Sequence, residues 1–128
     1  MIQQPATIRI KNLRLRAIVG IKTEEKEHPQ DIIINATIKC SASAAVTDND
    51  IDSALNYRTI CKALIRYAEQ NTFELLEHMT YQALCLVMDH TQVLEAQVEI
   101  DKVGALRYAD SVSISMSGQR PAAGEPWC

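Results

Sequence analysis

A carboxylate stands where a core side chain is expected in the stretch Phe73 to Leu84. At about 100° per residue, Phe73, Leu76, Thr80, Ala83, Leu84 and Val87 fall on one side of a helix, with Glu74, His78, Gln82 and Asp89 opposite. Glu77 lands between Leu84 and Met88. Two readings are open: a solvated Glu at the edge of the stripe, favoured by a nearby helix N-terminus, or a half-buried carboxylate that needs donors and could take them from a ligand. A second acidic feature, Glu24 and Glu25, follows Gly20 in the polar, charged segment 21–30. Paired acidic residues beside a glycine turn hint at a site, and a solvated charge run has the same composition. Metal chemistry is disfavoured. Cys40, Cys61, Cys85 and Cys128 form no C-x-x-C pair, and His28, His78 and His90 lack the spacing that brings two imidazoles to one ion.

The elements that must position these groups follow from alternation. Ala6, Ile8 and Ile10 alternate with polar residues, then the apolar parity switches to Leu13, Leu15, Ala17 and Val19, which predicts a strand with a bulge or bend near Asn12. Segment 21–30 reads as a loop. Residues 32–40 alternate most cleanly and predict a second strand, antiparallel to the first. A small polar connection over 41–53 leads to a helix from about Tyr57 to Glu69, carrying Ile60, Leu64, Tyr67 and Ala68. Asn71, at capping-box distance from Glu74, predicts that a second helix starts just before Phe73. Two further strands cover 94–101 and 111–117, with Gly104 at the turn. The order ββααββ predicts an α+β fold in which a four-stranded antiparallel sheet carries both helices on one face.

With 128 residues, 47% of them apolar, the chain is predicted to form one globular domain over 1–118, with a mobile tail over 119–128. A net charge of −3 and a pI near 5.6 argue against nucleic acid or an anionic membrane as partner. The start, Met-Ile-Gln-Gln-Pro-Ala, has no charged or apolar leader region, and no run is long enough to span a bilayer. A cytoplasmic protein with free thiols is expected. The sheet edges and the polar second face predict a homo-oligomer closed by edge-to-edge pairing.

Several motifs in order carry a family resemblance: Ile-Lys-Asn-Leu-Arg-Leu-Arg at 10–16, Gly-Ile-Lys-x-Glu-Glu at 20–25, Ala-Leu-Asn-Tyr-Arg-Thr at 54–59, Leu-Leu-Glu at 75–77, Glu-Ile-Asp-Lys at 99–102 and Ala-Leu-Arg-Tyr-Ala-Asp-Ser-Val-Ser at 105–113. Together they resemble the dihydroneopterin aldolase family over about residues 5–120. The resemblance implies the tunnelling fold (T-fold), in which subunits close a tetrameric barrel and two rings stack as a homo-octamer with sites between adjacent subunits. It makes Glu77 the pterin anchor, accepting from ring N3 and the 2-amino group, with backbone at Leu76 and Leu55 against the same ring. It makes Lys102, Tyr57 and Glu25 the catalytic residues, with Glu24 the rival of Glu25.

The chemistry implied is a reversible retro-aldol on a dihydroneopterin triphosphate. The dihydropterin C=N bond is the electron sink, so neither cofactor nor metal is required. The fragment released from C1′ either escapes, as in an aldolase, or turns and re-adds with C2′ inverted. Leu-Arg-Tyr-Ala-Asp-Ser-Val after the lysine resembles the epimerising branch. Retention of the fragment would be helped by cations on the phosphates, for which Lys22, Arg58 and Arg107 are candidates. A non-catalytic pterin-binding oligomer would need Glu77 but not Tyr57 or Lys102.

Overall fold

The structure is a computed structural model that describes residues 4–41, 49, 54–121 and 127. The switch of parity at Asn12 becomes a bulge in one long strand, β1 (Pro5–Val19). Ile10 pairs with Ala36 but Leu13 with Ile34, so β1 gains a residue between them. Asn12 takes φ +54°, a left-handed conformation that Asn tolerates better than most side chains. Its N–H is met by Asn35 Oδ1 at 2.8 Å. The bulge keeps Ala6, Ile8 and Ile10 on the same side as Leu13, Leu15, Ala17 and Val19, all of which join one core.

β2 (Gln30–Ser41) is the central strand, antiparallel to β1 on one side and to β4 (Val93–Val103) on the other. Its Ile32, Ile34, Ala36, Ile38 and Cys40 are buried, as the alternation requires. β5 (Ser111–Gln119) closes the far edge. Between β2 and β4 come α2 (Tyr57–Gln70) and α3 (Leu76–Met88). Asn56 caps α2, its side-chain oxygen accepting from the N–H groups of Arg58 and Thr59 at 3.1 and 3.3 Å. Ile60, Leu64 and Ala68 of α2, with Met79, Ala83, Leu84, Val87 and Met88 of α3, pack into the same cluster as the strands. The opposite sheet face is polar: Gln97 donates to Ser115 at 2.7 Å and Ser113 to Glu99 at 2.9 Å. The connection expected over 41–53 lies almost wholly outside the described residues.

Three local expectations are corrected. Segment 21–30 contains a short helix, α1 (Thr23–Glu27). The sheet has five strands, ordered β3-β1-β2-β4-β5, because β3 (Thr72–Phe73) pairs in parallel with Ile18 and Val19 at the end of β1. α3 consequently begins at Leu76, after Phe73 has been used in the sheet, and its N-cap Leu75 makes no side-chain cap. Asn71 closes α2 instead of opening α3, donating from Nδ2 to the Tyr67 carbonyl at 2.9 Å. A long-range strand pairing thus overrode a local capping pattern.

Of the tail expected from Gln119 onward, Gln119 ends β5 and Arg120 is buried. Arg120 donates from Nε to the Val93 carbonyl at 3.0 Å and from its terminal nitrogen to the Met88 and His90 carbonyls, which places a cation at the C-terminus of α3. Trp127 packs against Tyr81, ring centroids 6.1 Å apart; residues 122–126 and 128 lie outside the described residues. Cys40 and Cys61 are free thiols, whereas Cys85 is disulfide-bonded. Free thiols are therefore the wrong expectation for Cys85: a pairing made by tertiary proximity leaves no trace in sequence spacing.

The bulge generates a test. Replacing Asn35 with Ala removes the acceptor for the Asn12 N–H and is expected to lower stability by about 1 kcal/mol, whereas Asn12→Gly, free to adopt the same φ, leaves it nearly unchanged. Urea titrations of the two variants check this, with an unchanged slope expected for both.

Candidate active site

The 21–30 segment acquires its structure from what it must hold. Glu25 sits at the third position of α1, and its Oε1 accepts the Lys22 N–H at 3.2 Å, the carboxylate half of a capping box. Its Oε2 meets Lys102 Nζ in a close ion pair. Lys102 reaches it from the end of β4, where it stands opposite buried Ile32 in the register. Both side chains are largely shielded, 21% exposed for Glu25 and 13% for Lys102. The Lys102 hydrogen bond, assisted by the Lys22 N–H, holds the Glu25 carboxyl below the ordinary carboxylate value of 4.5, against the upward push of its own desolvation. Of the two rival loop carboxylates, then, it is Glu25 that meets Lys102, and Glu24 is exposed.

Gly20 makes room for this pair. It takes φ +144°, and a Cβ there would lie 2.3 Å from Glu25 Cδ and Oε1. A side chain at position 20 would have to displace the carboxylate. The Gly20 N–H donates to the Phe73 carbonyl at 2.8 Å, which ties the lead-in of α3 to the same end of the sheet. Lys26 and Glu74 add an exposed ion pair at 3.8 Å across that junction, worth little by itself.

The other expected residues are not gathered into this cluster within one chain. Glu77 lies in the first turn of α3 and is exposed; Leu76 beside it is half-buried. Tyr57 opens α2 at 53% exposure. With Ala54, buried Leu55, Asn56 and Arg58 it lines a separate open cavity of about 430 Å³. Among the described residues no side-chain hydrogen bond or ion pair connects Tyr57 to Lys102 or Glu25. Lys22 borders Glu25, while Arg107 lies in the β4–β5 turn with its guanidinium 5.0 Å over the ring of Tyr108, which is 94% exposed. A larger cavity, about 560 Å³, is lined by Arg14, Arg16, Asp31 and Glu69 among others. Its Arg16 is neutralised by Asp31 at 3.3 Å, and it contains neither Lys102 nor Glu25. No group of three His, Cys, Asp or Glu able to hold a metal occurs among the described residues.

An ammonium and a carboxylate in direct contact at the end of an interior strand can pass a proton and orient a hydroxyl. Residues 8–117 match the dihydroneopterin aldolase family. The chain belongs to that family. It is 54% identical over 120 residues to dihydroneopterin triphosphate 2′-epimerase of Escherichia coli K12, covering 94% of this chain and all of that one. It is 56% identical over 115 residues to the Pseudomonas aeruginosa enzyme of the same name, covering 90% and 94%. In fold it is similar to E. coli dihydroneopterin aldolase solved in complex with neopterin, at a TM-score of 0.83 and 18% identity over 88% of this chain and 98% of that one. The α+β architecture of this family member is therefore shared with aldolases whose sequences have diverged far from it.

Gly20 and Gln30, whose Nε2 donates to the Glu25 carbonyl at 3.0 Å, are the parts of this cluster that sequence reading did not assign. Gly20 was visible only as a turn, because the close approach it permits comes from a side chain folded back onto it. The ion pair carries a prediction about pH. Since the folded carboxyl titrates below its unfolded value, the pair's stabilisation is complete above 4.5 and lost as pH falls through the lower folded value. Glu25→Gln is expected to be less stable than the parent at neutral pH, with the gap closing in acid. Denaturant titrations of both proteins at a series of pH values check this.

Proposed function

We propose that this protein is a dihydroneopterin triphosphate 2′-epimerase, inverting C2′ to give the dihydromonapterin triphosphate. The observation that carries the reading is identity above one half, over nearly the whole chain, to two proteins of that name. The Glu25–Lys102 pair supplies groups suited to the chemistry. In the reaction the 2′-hydroxyl loses its proton and becomes the aldehyde carbonyl as the C1′–C2′ bond breaks. The electron pair of that bond forms a C1′=C6 double bond, the C6=N5 π pair passes to N5, and N5 takes up a proton. The Lys102 ammonium is the donor to N5 and, with Tyr57, part of the relay that accepts the hydroxyl proton, directly or through a water; Glu25 orients the lysine. Turning of the bound aldehyde before the bond re-forms inverts C2′, and the protons return to their sources.

Glu77 anchors the pterin in this reading. An exposed carboxylate can accept the paired N–H donors of ring N3 and the 2-amino group with fork geometry, and backbone at Leu76 and Leu55 borders the ring. Tyr57 and Leu55 line a cavity that does not include Lys102, which supports a site completed by a neighbouring subunit in a tunnelling-fold ring, two rings forming an octamer. The edge of β5 and the exposed Ile21, Tyr57, Val103 and Leu106 are the surfaces such a neighbour would cover. Lys22, Arg58 and Arg107 hold the triphosphate. The reaction uses no metal or cofactor, and the cytoplasm is its compartment, although the Cys85 disulfide is at odds with a reducing environment.

Aldolase activity is the second reading, favoured by family membership. Supplied with 7,8-dihydroneopterin triphosphate, the enzyme is expected to yield the 2′-epimer in preference to 6-hydroxymethyl-dihydropterin and a free two-carbon aldehyde. Removing the phosphates is expected to lower turnover, because they retain the fragment without touching the reacting carbons. Chiral chromatography beside an aldehyde assay separates the cases. Dominant cleavage with unphosphorylated substrate preferred would make the protein an aldolase, and tight pterin binding without turnover a binding protein. Glu77→Gln is expected to weaken pterin binding by about tenfold or more, since an amide sets a donor against a donor; an unchanged dissociation constant would return Glu77 to a solvated helix edge.

A further inference from the structure

Gln30 is the first residue of β2 and the last in register with β1, standing opposite Ala17. Pro29 before it has no N–H with which to continue the ladder. The N–H of Val19, beyond that last pair, is met by the Gln30 side chain, whose Oε1 accepts at 2.9 Å. From the same carboxamide, Nε2 donates to the Glu25 carbonyl at 3.0 Å and to the His28 carbonyl. One side chain therefore joins the end of β1, the middle of α1 and the turn into β2. The α1 residue it grips is the one whose carboxylate meets Lys102.

α1 needs such a clamp. It has five residues and none is buried, far short of the length at which a helix holds itself in water. Apart from the Glu25–Lys102 pair itself, its other side-chain ties are the Glu25 carboxylate to the Lys22 N–H within the segment and the exposed Lys26–Glu74 pair. Neither fixes the backbone of residue 25 to the sheet. Gln30 does, from a half-buried position. Without it the segment would be anchored mainly at its two ends, and Glu25 would sample positions away from Lys102.

We propose that Gln30 is a positioning residue for the Glu25–Lys102 pair: its carboxamide pins residue 25 to the end of β1 and so sets the carboxylate against the lysine ammonium. The inference rests on the epimerase reading for its effect on turnover, but not for its effect on the pair. The charged groups facing Glu25 are Lys102 from β4 and Lys22 from its own segment, and both remain when Gln30 is changed.

The test uses the full chain with Gln30→Met, which keeps the length and loses all three hydrogen bonds. Gln30→Glu is the second variant; it keeps the acceptor for Val19 and sets a carboxylate against the two carbonyls. In folded protein, kcat on 7,8-dihydroneopterin triphosphate is expected to fall about 10- to 100-fold, as for other displaced catalytic groups, with KM nearly unchanged. Independently of turnover, in Gln30→Met, which adds no charge, the ¹³C titration of the Glu25 carboxyl, assigned with Glu25→Gln, is expected to move up toward 4.5 as the lysine contact loosens. A lower melting temperature with the Glu25 midpoint unmoved and kcat intact would make Gln30 merely structural and overturn the proposal. So would failure of both variants to fold. If the wild-type enzyme does not turn over this substrate, the epimerase reading fails, and the Glu25 midpoint alone decides the role of Gln30.

Discussion

The ion pair between Glu25 and Lys102 joins groups 77 positions apart in sequence, and much of the architecture bears on whether they meet. Lys102 is delivered by the register of β4 on β2, where a slip of one residue would turn it to the polar face. That register is held by Ile34, Ala36, Ile38, Val98 and Ile100, all buried. Glu25 is delivered by a helix too short to be stable alone, closed over Gly20 because that residue has no side chain to block it. The pair is thus a readout of strand register and loop closure together. In this partly shielded setting solvent screens the attraction less than in an exposed pair, while desolvation of the carboxyl offsets part of the gain.

The same end of the sheet explains why β3 exists. Two residues, Thr72 and Phe73, pair with the last two of β1, and the Phe73 carbonyl then takes the Gly20 N–H. This delays the start of α3 until Leu76 and fixes the approach of its first turn, where Glu77 lies. Tyr67 packs against Phe73 with the rings tilted by 58° and their centroids 5.0 Å apart, and its hydroxyl donates to the Met79 carbonyl at 3.3 Å. Burial pushes the Tyr67 phenol up to about 12, so it remains a donor throughout the working pH range. At the far end of α3, Arg120 closes the helix. The helix that carries the proposed pterin anchor is therefore held at both ends by side chains or strands distant in sequence.

A single chain nevertheless leaves Tyr57 and Glu77 exposed and Tyr57 unjoined to the ion pair. Under the proposed function these are halves of a site that two subunits complete, which makes catalysis depend on assembly. Such an arrangement couples the stability of the ring to the geometry of the site. It also accounts for apolar side chains such as Ile21 and Leu106 lying exposed close to the chemistry, where water would otherwise surround them at a cost.

The sequence by itself determined the α+β class, the four long strands, the bulge at Asn12, both long helices and the family. Each of these is written in local periodicity or in short motifs whose residues have fixed neighbours. Family motifs also named Glu25 and Lys102, although the choice between Glu24 and Glu25 required knowing which carboxylate turns toward β4. Only the tertiary structure decided the rest: the fifth strand, the helix within 21–30, the shift of α3, the disulfide at Cys85, the capping role of Arg120 and the clamp made by Gln30. The fifth strand and the Arg120 cap have no local signature, because in each a group left unsatisfied by its neighbours in sequence is met by one far along the chain, while the short helix and the Gln30 clamp rest mostly on near-neighbour contacts that show no periodicity. A two-residue strand and a single carboxamide carry no periodicity to read, and it is those small contacts that bring Glu25 to Lys102.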